Sequence, residues 1–110
     1  MSNRDYLGEF EHIVVLALMR LGDHAYGVSV RQEIVKCIDR DVSVGAIYAT
    51  LDRLEEKGYV TSSMGEPTAK RGGRPKRFYR VTANGVSAVN RTRQALLSMS
   101  KGVKLVGRYT

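Results

Sequence analysis

Apolar side chains recur at steps of three and four between residues 6 and 21, where Phe10, Ile13, Val14, Ala17, Leu18 and Leu21 fall on one face. That period belongs to an amphipathic helix with one buried side, and it predicts a first helix over 6–21. Gly22 and Asp23 break the pattern, and Gly22 suits the left-handed residue that ends a helix. A second helix is predicted over 26–38, with Val30, Ile34 and Ile38 inward and Arg31, Glu33 and Lys36 outward. After the turn residues 39–43, Ser43 is placed to cap a third helix over 44–57, because its hydroxyl can accept from a free first-turn amide. Ile47, Leu51 and Leu54 form a narrow apolar stripe in that helix, which leaves Gly45, Tyr48, Ala49, Asp52 and Arg53 outward.

Past Gly58 the period changes. Residues 59–64 and 78–81 are β-prone runs joined by a stretch rich in Gly, Pro and basic residues, the pattern of a hairpin with a long loop. Phe78 and Tyr79 alternate on the returning strand, so at least one of them belongs to the core. Thr82 is a plausible cap for a last helix running toward Val106, with no proline to break it. Thr82, Val89, Leu96 and Val103 repeat every seven residues, with Thr92, Met99 and Val106 offset by three. The resulting weak heptad seam makes Val89, Leu96, Met99, Val103 and Val106 the candidate dimer contacts.

Helix, helix, helix, strand, loop, strand, helix is the order of a winged helix-turn-helix. The fold class expected is therefore mainly α with a small β-hairpin, a winged unit over 1–81 followed by a dimerisation helix over 82–110 in the same compact body. At 110 residues the chain has room for one modest core and no separate catalytic domain. In this arrangement the third helix enters the major groove of a duplex. Ser43, Val44, Gly45, Ala46 and Ala49 are small enough for close approach to base edges, Tyr48 and Thr50 offer hydroxyls to phosphate, and Arg53 adds a cation one turn later.

Charge sharpens this picture more through its distribution than through its total of +7. Residues 1–66 hold all 11 acids and seven of the basic side chains, whereas 67–110 hold 11 basic side chains and no acid. One region repels a polyanion and the other attracts it. Six of the eleven residues from 70 to 80 are basic, which marks 66–77 as a basic wing and Lys70, Arg71, Arg74, Lys76 and Arg77 as candidate contacts to backbone or minor groove. Gly73-Arg74-Pro75 resembles the core of an AT-hook, whose arginine lies along a narrow minor groove, although this chain carries one glycine too many for the usual Arg-Gly-Arg-Pro.

Other classes find little footing. The longest unbroken apolar run spans seven residues, 13–19, against the roughly 20 that a membrane helix needs. No secretory leader is recognisable at the N-terminus, so a cytoplasmic location is expected. Cys37 is the only cysteine, which excludes an internal disulfide and a cysteine-built zinc site. His12 and His24 are isolated and read as surface or capping groups, and no phosphate-binding glycine loop or nucleophile elbow is present. Neither an enzyme nor a cofactor or metal is expected; the partners expected are double-stranded DNA and a second copy of the chain. Two alternatives remain at this level: a protein-docking module, because the third helix also carries Asp52, Glu55 and Glu56, and an RNA or single-strand binder using the Phe78–Tyr79 pair.

From Leu7 to about Val86 the chain resembles the PadR-like transcriptional regulators. Ala25-Tyr26-Gly27, the run Tyr48, Leu51, Arg53, Leu54 and Glu55, then Gly58 and the series Arg77, Tyr79, Thr82 and Gly85 fall in that family's order and spacing. The resemblance implies a homodimeric winged-helix regulator, usually a repressor, with Tyr48 and its neighbours on DNA and the last helix in the dimer contact. Some members respond to aromatic or drug-like ligands. This chain departs in having a single last helix and no Trp for a flat aromatic pocket, and it leaves any small-molecule effector unidentified.

Overall fold

The computed structural model describes residues 6–65 and 76–104. In chain order the elements are α1 (Glu9–Leu21), α2 (Gly27–Ile38), α3 (Val44–Glu56), β1 (Val60–Met64), β2 (Arg77–Val81) and α4 (Ala83–Ser100). The architecture is mainly helical with one antiparallel hairpin, as the order of hydrophobic periods predicts. Two helix starts use the expected hydroxyl caps: Ser43 Oγ accepts from the Ala46 amide and Thr82 Oγ1 from the Gly85 amide. Gly22 and Gly58 take positive φ, 73° and 80°, where the chain leaves α1 and α3.

The three apolar stripes meet in one core. Val14, Val15 and Leu18 of α1, Val30 and Ile34 of α2, and Ile47, Leu51 and Leu54 of α3 are all buried, closed off by Val60 and Tyr79 of the hairpin and by Ala88 and Val89 of α4. Strands β1 and β2 pair with Val60 opposite Val81, Ser62 opposite Tyr79 and Met64 opposite Arg77. This register turns the Tyr79 ring into the core while Phe78 stays half-buried on the other face. The hairpin is bonded to the helices as well as packed on them. The Tyr79 amide donates to the Ala25 carbonyl (2.8 Å), and the Thr82 amide donates to the Tyr59 carbonyl (3.0 Å).

Several elements differ from the sequence expectation. Helix α1 begins at Glu9 rather than residue 6, because Gly8 is extended and the Leu7 amide donates instead to Thr92 Oγ1 on α4, 2.9 Å away. Ile38 closes α2 but is half exposed, since the apolar face of that helix is already filled by Val30 and Ile34. Helix α4 ends at Ser100, short of the expected 106, and Lys101 leaves it with extended backbone. His12 is half-buried rather than a surface group; burial, reinforced by Arg93, pushes its imidazole pKa down.

Where α4 crosses the hairpin the approach is so close that a Cβ on Gly85 would overlap the Tyr59 carbonyl oxygen and stand 2.7 Å from Val81 Cγ1. Backbone cannot yield as a flexible side chain would. Gly85→Ala is therefore expected to destabilise the protein by about 1–3 kcal/mol through overpacking. This outcome runs against intrinsic helix propensity, which favours alanine by about 1 kcal/mol. Urea unfolding of the two proteins checks it; equal midpoints would show that the crossing is looser.

Candidate nucleic-acid interface

Helices α2 and α3 are joined by a turn that a single side chain holds shut. Arg31 Nε donates to the Val42 carbonyl (2.7 Å) and Arg31 Nη2 contacts Asp41 Oδ1 (3.2 Å). With its stripe of Ile47, Leu51 and Leu54 buried, α3 presents Gly45, Ala46, Ala49, Asp52 and Arg53 to the outside, Ser43 is exposed at its N-cap, and Val44 is half-buried. The first turns of the helix thus form a low ridge of small side chains, a shape that a major groove can receive.

Two of the expected contacts prove to be engaged within the chain. Tyr48 is half-buried: its ring lies against Gly27, where a Cβ would overlap it, and 6.4 Å from the ring of Tyr79. Gly27 is thus the seat of the Tyr48 ring, which explains the Ala-Tyr-Gly sequence as a packing requirement. Thr50 is corrected outright. It is 2% exposed on the inward side of α3 and takes a hydrogen bond from Arg53 Nη2 (3.4 Å), so its hydroxyl does not face solvent.

The root of the wing is fixed by aromatic and polar contacts. Phe78 meets the rings of His24 and Tyr26 edge-on, with centroids 5.3 and 6.0 Å apart. Lys76 Nζ stands 4.3 Å above the centre of the Tyr26 ring, a cation–π contact. Arg77 Nη1 donates to Ser62 Oγ (2.8 Å), which in turn donates to Glu55 Oε2 on α3 (2.8 Å). Arg80 pairs with Asp23 at 3.3 Å. The hairpin root therefore bears on the turn between α1 and α2 and, through Glu55, on α3. Lys70, Arg71 and Arg74 lie outside the described residues, as does Val106.

The heptad seam of α4 divides in two. Val89, 4% exposed, is taken up by the protomer's own core and does not reach a partner, and Thr92 is buried against the segment before α1. Leu96 and Met99 are 60% and 77% exposed, with Leu97 beside them at 53%; Val103, 55% exposed, lies past the end of α4 at Ser100 and so does not continue the helical seam.

One buried acid escaped the sequence reading. Glu11 on α1 accepts from the Gly8 amide at Oε1 (3.0 Å), and its Oε2 accepts from Lys57 Nζ (3.0 Å) and lies 3.7 Å from Arg53 Nε. The signal was present: Leu7, Glu11, Val14 and Leu18 share one helical face, so a charged residue there had to be buried and partnered. Burial by itself would raise the carboxyl pKa, but the Gly8 amide and the Lys57 ammonium outweigh it and hold the group below the ordinary glutamate range.

A helix-turn-helix with a docked hairpin defines a winged-helix DNA-binding module. The PadR-like family of transcriptional regulators matches over residues 15–91, and the chain belongs to that family. Solved structures agree. A PadR-like transcription factor from Bacteroides fragilis superposes with a TM-score of 0.74 at 22% identity, over 86% of this chain and 85% of that one. A transcriptional regulator from Clostridium thermocellum gives 0.69 at 23%, over 86% and 92%. A complex of the protein hsRosR gives 0.68 at 25%, over 92% and 80%. No curated protein matches the chain. The family is one of regulators and not of enzymes, and among the described residues no helix is long and apolar enough to cross a membrane.

The lowered pKa of Glu11 has a defined pH signature. A carboxylate favoured in its ionised form adds stability above the unfolded value of about 4.3, and that stability disappears as pH falls through the lower folded value. Glu11→Gln is expected to cost about 1–3 kcal/mol at pH 7, because half-exposed Lys57 and Arg53 lose the buried carboxylate they pair with. The gap between parent and variant should close as pH falls below about 4. Chemical denaturation across that range measures it, and a gap that stayed constant would remove Glu11 from the acid response.

Proposed function

We propose that the protein is a transcriptional repressor that binds a palindromic operator as a homodimer, with residues 44–57 in the major groove and the basic wing 66–77 on backbone or minor groove. One observation carries this reading: the small side chains of Gly45, Ala46 and Ala49 form the outward ridge of α3, and the hairpin that carries Lys76, Arg77 and Arg80 is bonded to the same helix at Glu55. Ser43, Val44, Tyr48 and Arg53 flank the ridge as hydrogen-bonding, packing and charged contacts, Lys76 and Arg77 stand at the wing root, and Lys70, Arg71 and Arg74 precede them in sequence as further candidate contacts. Two recognition helices related by a twofold axis must read half-sites about 34 Å apart, one helical turn of the duplex.

The dimer reading rests on the exposed half of α4. Leu96, Leu97 and Met99 present apolar side chains that the protomer does not cover, Val103 follows just past the end of the helix, and Leu16 and Met19 on α1 add to the exposed apolar area. Contiguous apolar area left in water favours association by about 25 cal/mol per Å² covered.

Selection of bound fragments from random duplex DNA should return a palindrome with half-sites one turn apart; enrichment of single strands, or of nothing, would reject the reading. If each protomer neutralises three or four phosphates, log affinity should fall against log salt with a slope on the order of −6. Met99→Glu should convert the dimer to monomer in sedimentation equilibrium and weaken operator binding more than 100-fold, roughly the avidity of a second half-site. An unchanged mass would place the dimer contact elsewhere.

A further inference from the structure

Three polar side chains are buried among the described residues, Glu11, Thr50 and Thr92, and all three belong to one chain of contacts. Thr92 Oγ1 on α4 accepts from the Leu7 amide (2.9 Å). The next amide, that of Gly8, donates to Glu11 (3.0 Å). Glu11 holds Lys57 (3.0 Å) and Arg53 (3.7 Å), and Arg53 donates to Thr50 (3.4 Å). Buried polar groups are unfavourable unless satisfied, so three of them in one series form a single mechanical unit.

The series ends on a residue that faces out. Arg53 is engaged at two of its three guanidinium nitrogens, Nε toward Glu11 and Nη2 toward Thr50, while its side chain remains 54% exposed on the outward face of α3 with Ala46 and Ala49. An arginine that is free to rotate contacts any phosphate within reach. One that is held in place offers its remaining amino group in a single direction and loses less freedom on binding. Glu11 has a second effect, because its carboxylate competes with phosphate for Arg53 and Lys57 and so weakens contacts made at random.

We propose that Glu11 is a specificity-determining positioning residue, which aims Arg53 of the recognition helix, and that the Leu7–Thr92 bond ties this aim to α4. The inference rests on the DNA-binding reading above. Glu11 and Thr92 touch no DNA; they act through Arg53.

The test is a double-variant cycle on the full chain, with affinity measured for the duplex isolated by selection and for a random duplex of equal length. Arg53→Gln should weaken operator binding about tenfold, as loss of one charged contact does. Glu11→Gln should weaken it by a similar factor in the parent background but less than about twofold when Arg53 is already Gln. On random duplex Glu11→Gln should bind as well as the parent or better, with a steeper salt slope, because two cations are released. A purely structural role would lower both affinities in proportion. Thr92→Val should reproduce the loss of discrimination, and Thr92→Ser, which keeps the hydroxyl, should restore it; this pair carries the test if Glu11→Gln fails to fold. Equal penalties for Glu11→Gln in both backgrounds would overturn the aiming role, and full discrimination in Thr92→Val would overturn the tie to α4. If the parent chain shows no preference for any duplex, the DNA-binding reading fails and takes this inference with it.

Discussion

The burial of one stripe on α3 governs the rest of the molecule. Ile47, Leu51 and Leu54 are wholly withdrawn from solvent against α1 and α2, and a helix pinned along one line has no freedom to roll. Its opposite face is thereby committed to the outside, where Gly45, Ala46 and Ala49 are exposed. The hydrophobic effect does not recognise DNA. It decides which residues of α3 stay on the outside, and the Ser43 cap and the Arg31 clamp fix the start of that helix.

Around that helix the second requirement is rigidity at the wing root. An isolated two-stranded hairpin is marginal in water. Here it is joined to the helical body by the Tyr79–Ala25 backbone bond, the Tyr79 ring in the core, the Phe78 contacts with His24 and Tyr26, and the Arg77–Ser62–Glu55 series. Each is modest in energy. Their value lies in direction, since together they fix the orientation of the two strands on the helical body. The same logic explains Gly27 and Gly85, positions at which a single methyl group would push Tyr48 or the Tyr59 carbonyl out of place.

Family membership accounts for this arrangement without reference to local detail. The PadR-like match spans 15–91, yet the Glu11 contacts begin ahead of it, and Leu7 and Gly8 connect α4 to α3 from there. The structural likenesses, at 22–25% identity, convey a shared scaffold. How a given chain shapes its third helix, as with the inward Thr50, is a matter of its own side chains.

Periodicity alone was sufficient for the elements and their order, because the helix period of 3.6, the strand period of 2 and the caps at Ser43 and Thr82 are local properties that need no partner. The ridge of small residues on α3 followed from the same arithmetic. Proximity between distant residues does not follow from period. Tyr48 looked available on a helical wheel and Val89 in the heptad, and only the tertiary structure decided that Tyr48 lies on Gly27 and that Val89 fills the chain's own interior; Thr50, three residues from Ile47 and four from Leu54, belongs to the buried side by the same arithmetic. Glu11 is the sharpest case. Its place on a buried face was written in the chain, but the two cations that make burial tolerable come from positions 53 and 57, more than forty residues away, and only folding could bring them within bonding distance.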